Sequence, residues 1–175
     1  MSAYDWSSDV FKAVRAREIA TVATIPDGGL TRFLTRCRVD NDTRVVTLTT
    51  EEEGIGLTTG LWLGGARGML ALQSSGVGNC INALTLPAAM RAPCLMVVTM
   101  RGHWGEFNPW QVPMSRAARP ALEAVGVTCM PVDRAEEVGE TFAAAADMAF
   151  NTGTACAVLI SQRVIGAKTF ERAEE

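Results

Sequence analysis

Histidine is almost missing from this sequence: His103 is the single one in 175 residues. Chemistry that needs two imidazoles, such as a paired proton relay or a His-rich metal site, therefore cannot be assembled from this chain alone. The five cysteines (Cys37, Cys80, Cys94, Cys129, Cys156) show no CxxC or CxxH spacing. That argues against a zinc site, and an odd number of thiols without a signal-peptide core reads as reduced, buried side chains of a cytoplasmic protein. Positive charge is not in excess either, with 16 Lys and Arg against 19 Asp and Glu. The formal charge of -3 makes nucleic acid or an anionic membrane surface a poor bulk partner. Apolar runs are short, and "PCLMVVTM" falls well below the roughly 20 residues needed to cross a bilayer. No linker, repeat or low-complexity tract divides the chain, so one domain over residues 1–175 is expected.

What is present is an alternation. Six β-branched or apolar runs, "IATVATI", "RVVTLTT", "GMLALQSS", "APCLMVVTM", "VTCMPV" and "ACAVLISQ", read as strands. Between them lie helical patterns: "VFKAVRAREI", "LTRFLTRC", "GIGLTTGLWLGGA", "NCINALTLPAAM", "SRAARPALEAVG" and "AEEVGETFAAAADMAFNTG". Strands alternating with helices predict an α/β fold, and fully apolar strands require cover on both sides. The expectation is a six-stranded, mainly parallel sheet with helices on both faces. Ligands of such sheets collect beyond the carboxyl ends of the strands. Four unusual segments follow strands directly: "PDGG", "TEEEG", "QSSGVGN" and "RGHWGEFNPWQ".

Three adjacent glutamates, Glu51 to Glu53, stand where a strand gives way to a glycine-spaced helix. Carboxylates in a first helical turn interact favourably with the helix dipole, by roughly 0.3–1 kcal/mol each, which suffices for Glu52 and Glu53. Glu51 differs by lying at the strand end itself. Gly54, Gly56 and Gly60 follow, each costing about 1 kcal/mol relative to alanine inside a helix. Close approach of another backbone, within the fold or across a subunit contact, would explain them. "SGVGN" either cradles a phosphate or forms a tight strand-to-helix turn capped by Asn79; it lacks GxGxxG spacing and a Walker lysine.

Glu51 followed by Gly60 and then "QSSGVGN" resembles the pyrimidine-binding domain of thiamine-diphosphate enzymes. "EEEGIGLTTGLWLGGARG", "QSSGVGNCINAL", "MRG" and "WQVPM" are similar to segments of sulfopyruvate decarboxylase alpha subunits and of phosphonopyruvate decarboxylases. This resemblance implies a strand-end glutamate, Glu51 with Glu52 as its neighbour in register, bonded to the N1′ nitrogen of the aminopyrimidine. An apolar surrounding supplied by "VVTL" and "IGL" would help it share a proton there. The cofactor then attacks a 2-oxo acid, and carbon dioxide and an aldehyde leave. Cofactor contacts are expected at Pro26, Glu51, Gly54, Gln73, Ser75, Gly76 and Asn79, and substrate contacts at Asp27, Asn82, Arg101, His103 and Gln111. The family's "GDG" signature, which holds Mg2+ and the diphosphate, is absent from the chain. The resemblance therefore implies a separate beta subunit that supplies both, with the glycine-dense helix at the seam of a hetero-oligomer.

The individual residues leave alternatives open. Arg101 suits a sulfonate or phosphonate oxyanion, and equally a structural cap. His103 is a proton relay or a surface group, and Asp27 a ligand contact or a turn former. Trp104, Phe107 and Trp110 wall a pocket or pack an interface. At the level of reaction, carboligation by the same cofactor and a non-catalytic binding module stand beside decarboxylation.

Overall fold

Each strand of the sheet is a run whose neighbouring residues serve opposite faces. In the computed structural model, which describes residues 4–167, Met69, Ala71, Leu95 and Val97 point to one side, into a cluster with Val10, Phe33 and Phe142. Leu70, Leu72, Met96 and Val98 point to the other, against Ile55, Val77, Leu84 and Leu122. This period-two division is what a sheet covered twice demands of its sequence. All six expected strands form: β1 (Ile19–Thr24), β2 (Arg44–Thr47), β3 (Arg67–Gln73), β4 (Cys94–Thr99), β5 (Thr128–Val132) and β6 (Ala155–Ile160). Their order is β2-β1-β3-β4-β6-β5, and every pairing is parallel.

Helices α1 (Trp6–Ala16), α2 (Thr31–Val39) and α7 (Val138–Thr152) supply residues to the first cluster. Helices α3 (Glu51–Leu63), α4 (Val77–Cys80) and α6 (Gln111–Ala124) supply residues to the second cluster, and α5 (Thr85–Met90) follows Leu84 of that cluster. A last short helix, α8 (Gln162–Ile165), follows β6. The chain passes from β2 to β3 on the far side of β1, so the order reverses beside β1 and opens a crevice at the carboxyl ends of β1 and β3. The five cysteines are free; burial pushes the Cys37, Cys80 and Cys94 thiols up to about 12. Among the described residues no helix is long and apolar enough to cross a membrane.

Among the boundaries that differ from the sequence expectation, three bear on the site. The α3 helix starts at Glu51 rather than Gly54, because Glu53 turns back to accept from the amides of Thr49 (2.8 Å) and Thr50 (3.4 Å). The single helix expected over 79–90 is broken into α4 and α5. Pro87 explains the break: its ring excludes a continuous helix through residue 83 but fits the first turn of a new one. The loop in "RGHWGEFNPWQ" ends at Trp110, and Gln111 opens α6 ahead of the expected "SRAARPALEAVG" pattern; Pro113 fits a first turn, where no N–H is required.

Candidate active site

The strand-to-helix junction after β2 places Glu51 at the first position of α3, only 9% exposed, while Glu52 faces solvent. Among the described residues its carboxylate meets no cation, and the one side-chain hydrogen bond it accepts is from Asn79 Nδ2 to Oε2, at 2.8 Å. Asn79 therefore lies inside α4 and steadies Glu51 instead of capping a helix. The other oxygen, Oε1, lies over Gly76. A Cβ at residue 76 would overlap the carboxylate, with Glu51 Cγ only 2.5 Å away. Glycine at this turn is required by the side chain that rests on it. Glu51, Ser75, Gly76, Asn79, Trp110, Gln111 and Met114 line one cleft of about 330 Å³.

A second group of side chains joins this cleft from the centre of the sheet. Asp27, just beyond β1, accepts from Gly29 N (3.0 Å), Thr99 Oγ1 (2.9 Å) and Gln73 Nε2 (2.8 Å). Gln73 Oε1 in turn accepts from Ser75 Oγ (2.7 Å) and Gln111 Nε2 (3.2 Å). Gln111 Oε1 is buried and has no hydrogen-bond partner among the described residues. A buried acceptor left open in an otherwise satisfied network calls for a donor from water or from a ligand.

The loop after β4 is held by a different carboxylate. Arg101 donates through Nε and Nη2 to Glu106 at 2.9 and 3.0 Å, with both side chains at most 5% exposed. Gln162 Nε2 adds a bond to Glu106 at 2.9 Å, and Gln162 Oε1 accepts from the amides of His103 (3.2 Å) and Trp104 (3.1 Å). Burial alone would raise the Glu106 carboxyl, but Arg101, the Asn108 amide and Gln162 outweigh it and hold it at about 2. The His103 ring lies between Ser161 Oγ (3.2 Å) and Ser115 Oγ (3.4 Å); burial lowers its pKa, against an opposing pull from Asp133. Trp104 stacks under the Arg163 guanidinium, 4.0 Å from the ring centroid.

The structure thus brings together Glu51, Ser75, Gly76, Asn79 and Gln111, with Asp27 and Gln73 directly behind them. It does not bring in the others. Gly54 turns towards the sheet, where a Cβ would meet Leu70 Cδ1 at 2.5 Å and Leu48 Cδ1 at 2.9 Å. Its lack of a side chain serves helix–sheet packing. Pro26 and Asn82 are exposed and outside the cleft. The charge of Arg101 is matched inside the fold by Glu106, and His103 faces α6 and the end of β6. Of the three loop tryptophan and phenylalanine rings, Trp110 alone lines the cleft. Sequence reasoning missed Glu106 and Gln162; five residues separate Arg101 from Glu106, which was signal enough for a local ion pair but not for its burial.

A parallel sheet covered on both faces, with a cleft beyond its carboxyl edge, defines an α/β protein of the doubly wound class. No protein-family model matches the chain. It is 31% identical over 155 residues to the sulfopyruvate decarboxylase subunit alpha of Methanococcus maripaludis, covering 88% of this chain and 93% of that one. It is 38% identical over 101 residues to phosphonopyruvate decarboxylase of Streptomyces hygroscopicus, covering 57% of this chain and 25% of that protein. The fold matches 2-oxoglutarate:ferredoxin oxidoreductase from Magnetococcus marinus with a TM-score of 0.72 and 14% identity, over 91% of this chain and 29% of that one. The chain belongs to the sulfopyruvate decarboxylase alpha-subunit family.

Proposed function

We propose that the chain is the pyrimidine-binding subunit of a thiamine-diphosphate-dependent 2-oxo acid decarboxylase. Its substrate is a sulfopyruvate- or phosphonopyruvate-like acid, and its products are carbon dioxide and an aldehyde. The observation that carries this reading is Glu51, buried at a strand end and, among the described residues, free of any cation and bonded by a single neutral side-chain amide. Thiamine diphosphate, when bound, supplies the electron sink that decarboxylation requires.

The residues present fit its aminopyrimidine. Gly76 leaves room for the Glu51 carboxyl, and Gln111 Oε1 offers an unmatched acceptor in the same cleft. Asn79 occupies Oε2, so Oε1 is the oxygen left to share a proton with a ring nitrogen. Trp110 and Met114 wall the cleft beside that oxygen.

A separate beta subunit would complete the site in the cytoplasm. The chain spans nearly all of the methanogen subunit but only a quarter of the Streptomyces enzyme, which supports a second polypeptide carrying the remaining functions. Among the described residues no group of three or more His, Cys, Asp or Glu side chains is placed to hold a metal ion; this reading assigns Mg2+ and the diphosphate to the partner. On α3, Gly56 and Gly60 have open space where a Cβ would stand, and Leu63 is 66% exposed nearby. This face suits the seam between subunits.

The test is co-expression with a GDG-bearing partner, followed by carbon dioxide release from sulfopyruvate and phosphonopyruvate with and without thiamine diphosphate. Glu51→Gln is expected to lower turnover by about 10²- to 10⁴-fold while the complex elutes unchanged on size exclusion. Undiminished carbon dioxide release by that variant overturns the assignment. A hydroxyketone product in place of the aldehyde would mark a carboligase.

A further inference from the structure

The two carboxamides behind the cleft have their orientation imposed by one charged group. A carboxylate accepts hydrogen bonds and does not donate them. Asp27 therefore fixes the nitrogen of Gln73 towards itself, at 2.8 Å. The Gln73 oxygen must then face Ser75 and Gln111. Since that position now holds an acceptor, Gln111 turns its own nitrogen to it, and its oxygen is left over. Gln111 is 9% exposed, lines the cleft with Glu51, and its Oε1 is the buried side-chain atom without a partner among the described residues. Leaving such an acceptor unmatched costs free energy in the empty protein, which a ligand donor recovers.

We propose that Asp27 and Gln73 are positioning residues that set the polarity of Gln111, so that Gln111 Oε1 accepts from the exocyclic amine of the bound aminopyrimidine. This rests on the thiamine-diphosphate reading above. It also reassigns Gln111 from substrate to cofactor. A 2-oxo acid anion with a sulfonate or phosphonate tail presents oxygen acceptors, which a carbonyl oxygen does not attract, whereas an aromatic amine presents N–H. The relay runs over three strand ends, β1 through Asp27, β3 through Gln73 and β4 through Thr99, which holds the Asp27 oxygen at 2.9 Å.

The experiment compares binding of thiamine diphosphate with that of its analogue lacking the exocyclic amine, using the assembled complex with Mg2+ and calorimetry as readout. The unaltered complex is expected to prefer the amine-bearing cofactor. Gln111→Met removes the acceptor at similar volume. Asp27→Asn allows Gln73 and Gln111 to turn over and present nitrogen instead. Both variants should lower that preference by about three- to tenfold, the worth of one neutral hydrogen bond, while affinity for the analogue stays unchanged. A merely structural role would weaken both ligands alike, and that result overturns the proposal, as does an unchanged preference in Gln111→Met. If Asp27→Asn does not assemble, Gln111→Met decides alone. Failure of the cofactor reading looks different: the unaltered complex would bind neither ligand, and both ideas would fall together.

Discussion

Glu51 and Glu106 are both buried carboxylates beyond strand ends of one sheet, and their surroundings are opposite. Glu106 accepts from two nitrogens of Arg101, from Gln162, and from the amides of Gly102 and Asn108. Glu51 accepts from one neutral amide and lies on a glycine. A carboxylate saturated with donors and paired with a cation is held in one charge state and one place. One with a single neutral donor keeps an oxygen available to something else. Burial therefore does not separate the structural acid from the one proposed to hold the cofactor; the number and charge of its partners does.

The largest effect that would sharpen this contrast is on stability. Glu106→Gln should cost about 3–5 kcal/mol, because it leaves Arg101 buried and uncompensated. At roughly 2–4 °C per kcal/mol for a chain of this size, calorimetry should show a melting point lower by about 10 °C. Replacing both partners, Arg101→Met with Glu106→Leu, should recover only the part due to the uncompensated charge, since Gln162 and the amides of Gly102 and Asn108 lose their acceptor. The same pair gives the pH dependence its sign. The Glu106 carboxyl falls from 4.5 to about 2 on folding, so its contribution is fully present above pH 4.5 and disappears as pH falls through 2. Acid titration of the double variant should lack that component.

Next comes Gly76→Ala, which strikes the other carboxylate alone. Gly76 has helical backbone angles, φ -75° and ψ -16°, so alanine suits its backbone, and what it displaces is the movable end of Glu51. Turnover should fall by about 10- to 100-fold, as expected for a displaced catalytic group, with little change in melting temperature. Equal losses of stability and activity would break the comparison. The smallest effect is expected at Gly56→Ala and Gly60→Ala, where a Cβ meets nothing. Each should stabilise the isolated chain by about 0.5–1 kcal/mol yet weaken association with the partner, read by denaturation and by titration of the complex.

Sequence periodicity was sufficient for the six strands, since each face of a covered sheet must be apolar and the alternating cores of Met69–Leu72 and Leu95–Val98 meet that demand locally. The fold buries Glu51 alone of the three adjacent glutamates, and its difference from its two neighbours was legible from its place at the strand end. Gly54 was not, since the leucines that exclude its side chain come from elsewhere in the chain. The same holds for Arg101: its chemistry suits an oxyanion, but Glu106 and Gln162 close around it only in the folded chain. Pairings that close over 59 residues, as between His103 and Gln162, leave no trace in local spacing.

The short helix after β6 has a practical consequence. Gln162 is fully buried and ties the segment leading to Trp110 and Gln111 onto the carboxyl end of β6, the strand next to β4. A version of this chain trimmed back to Ile160 would keep every strand and still lose the brace under one wall of its cleft. Tags or fusions at the carboxyl end should accordingly be joined well beyond Ile165, where they do not pull on that stitch.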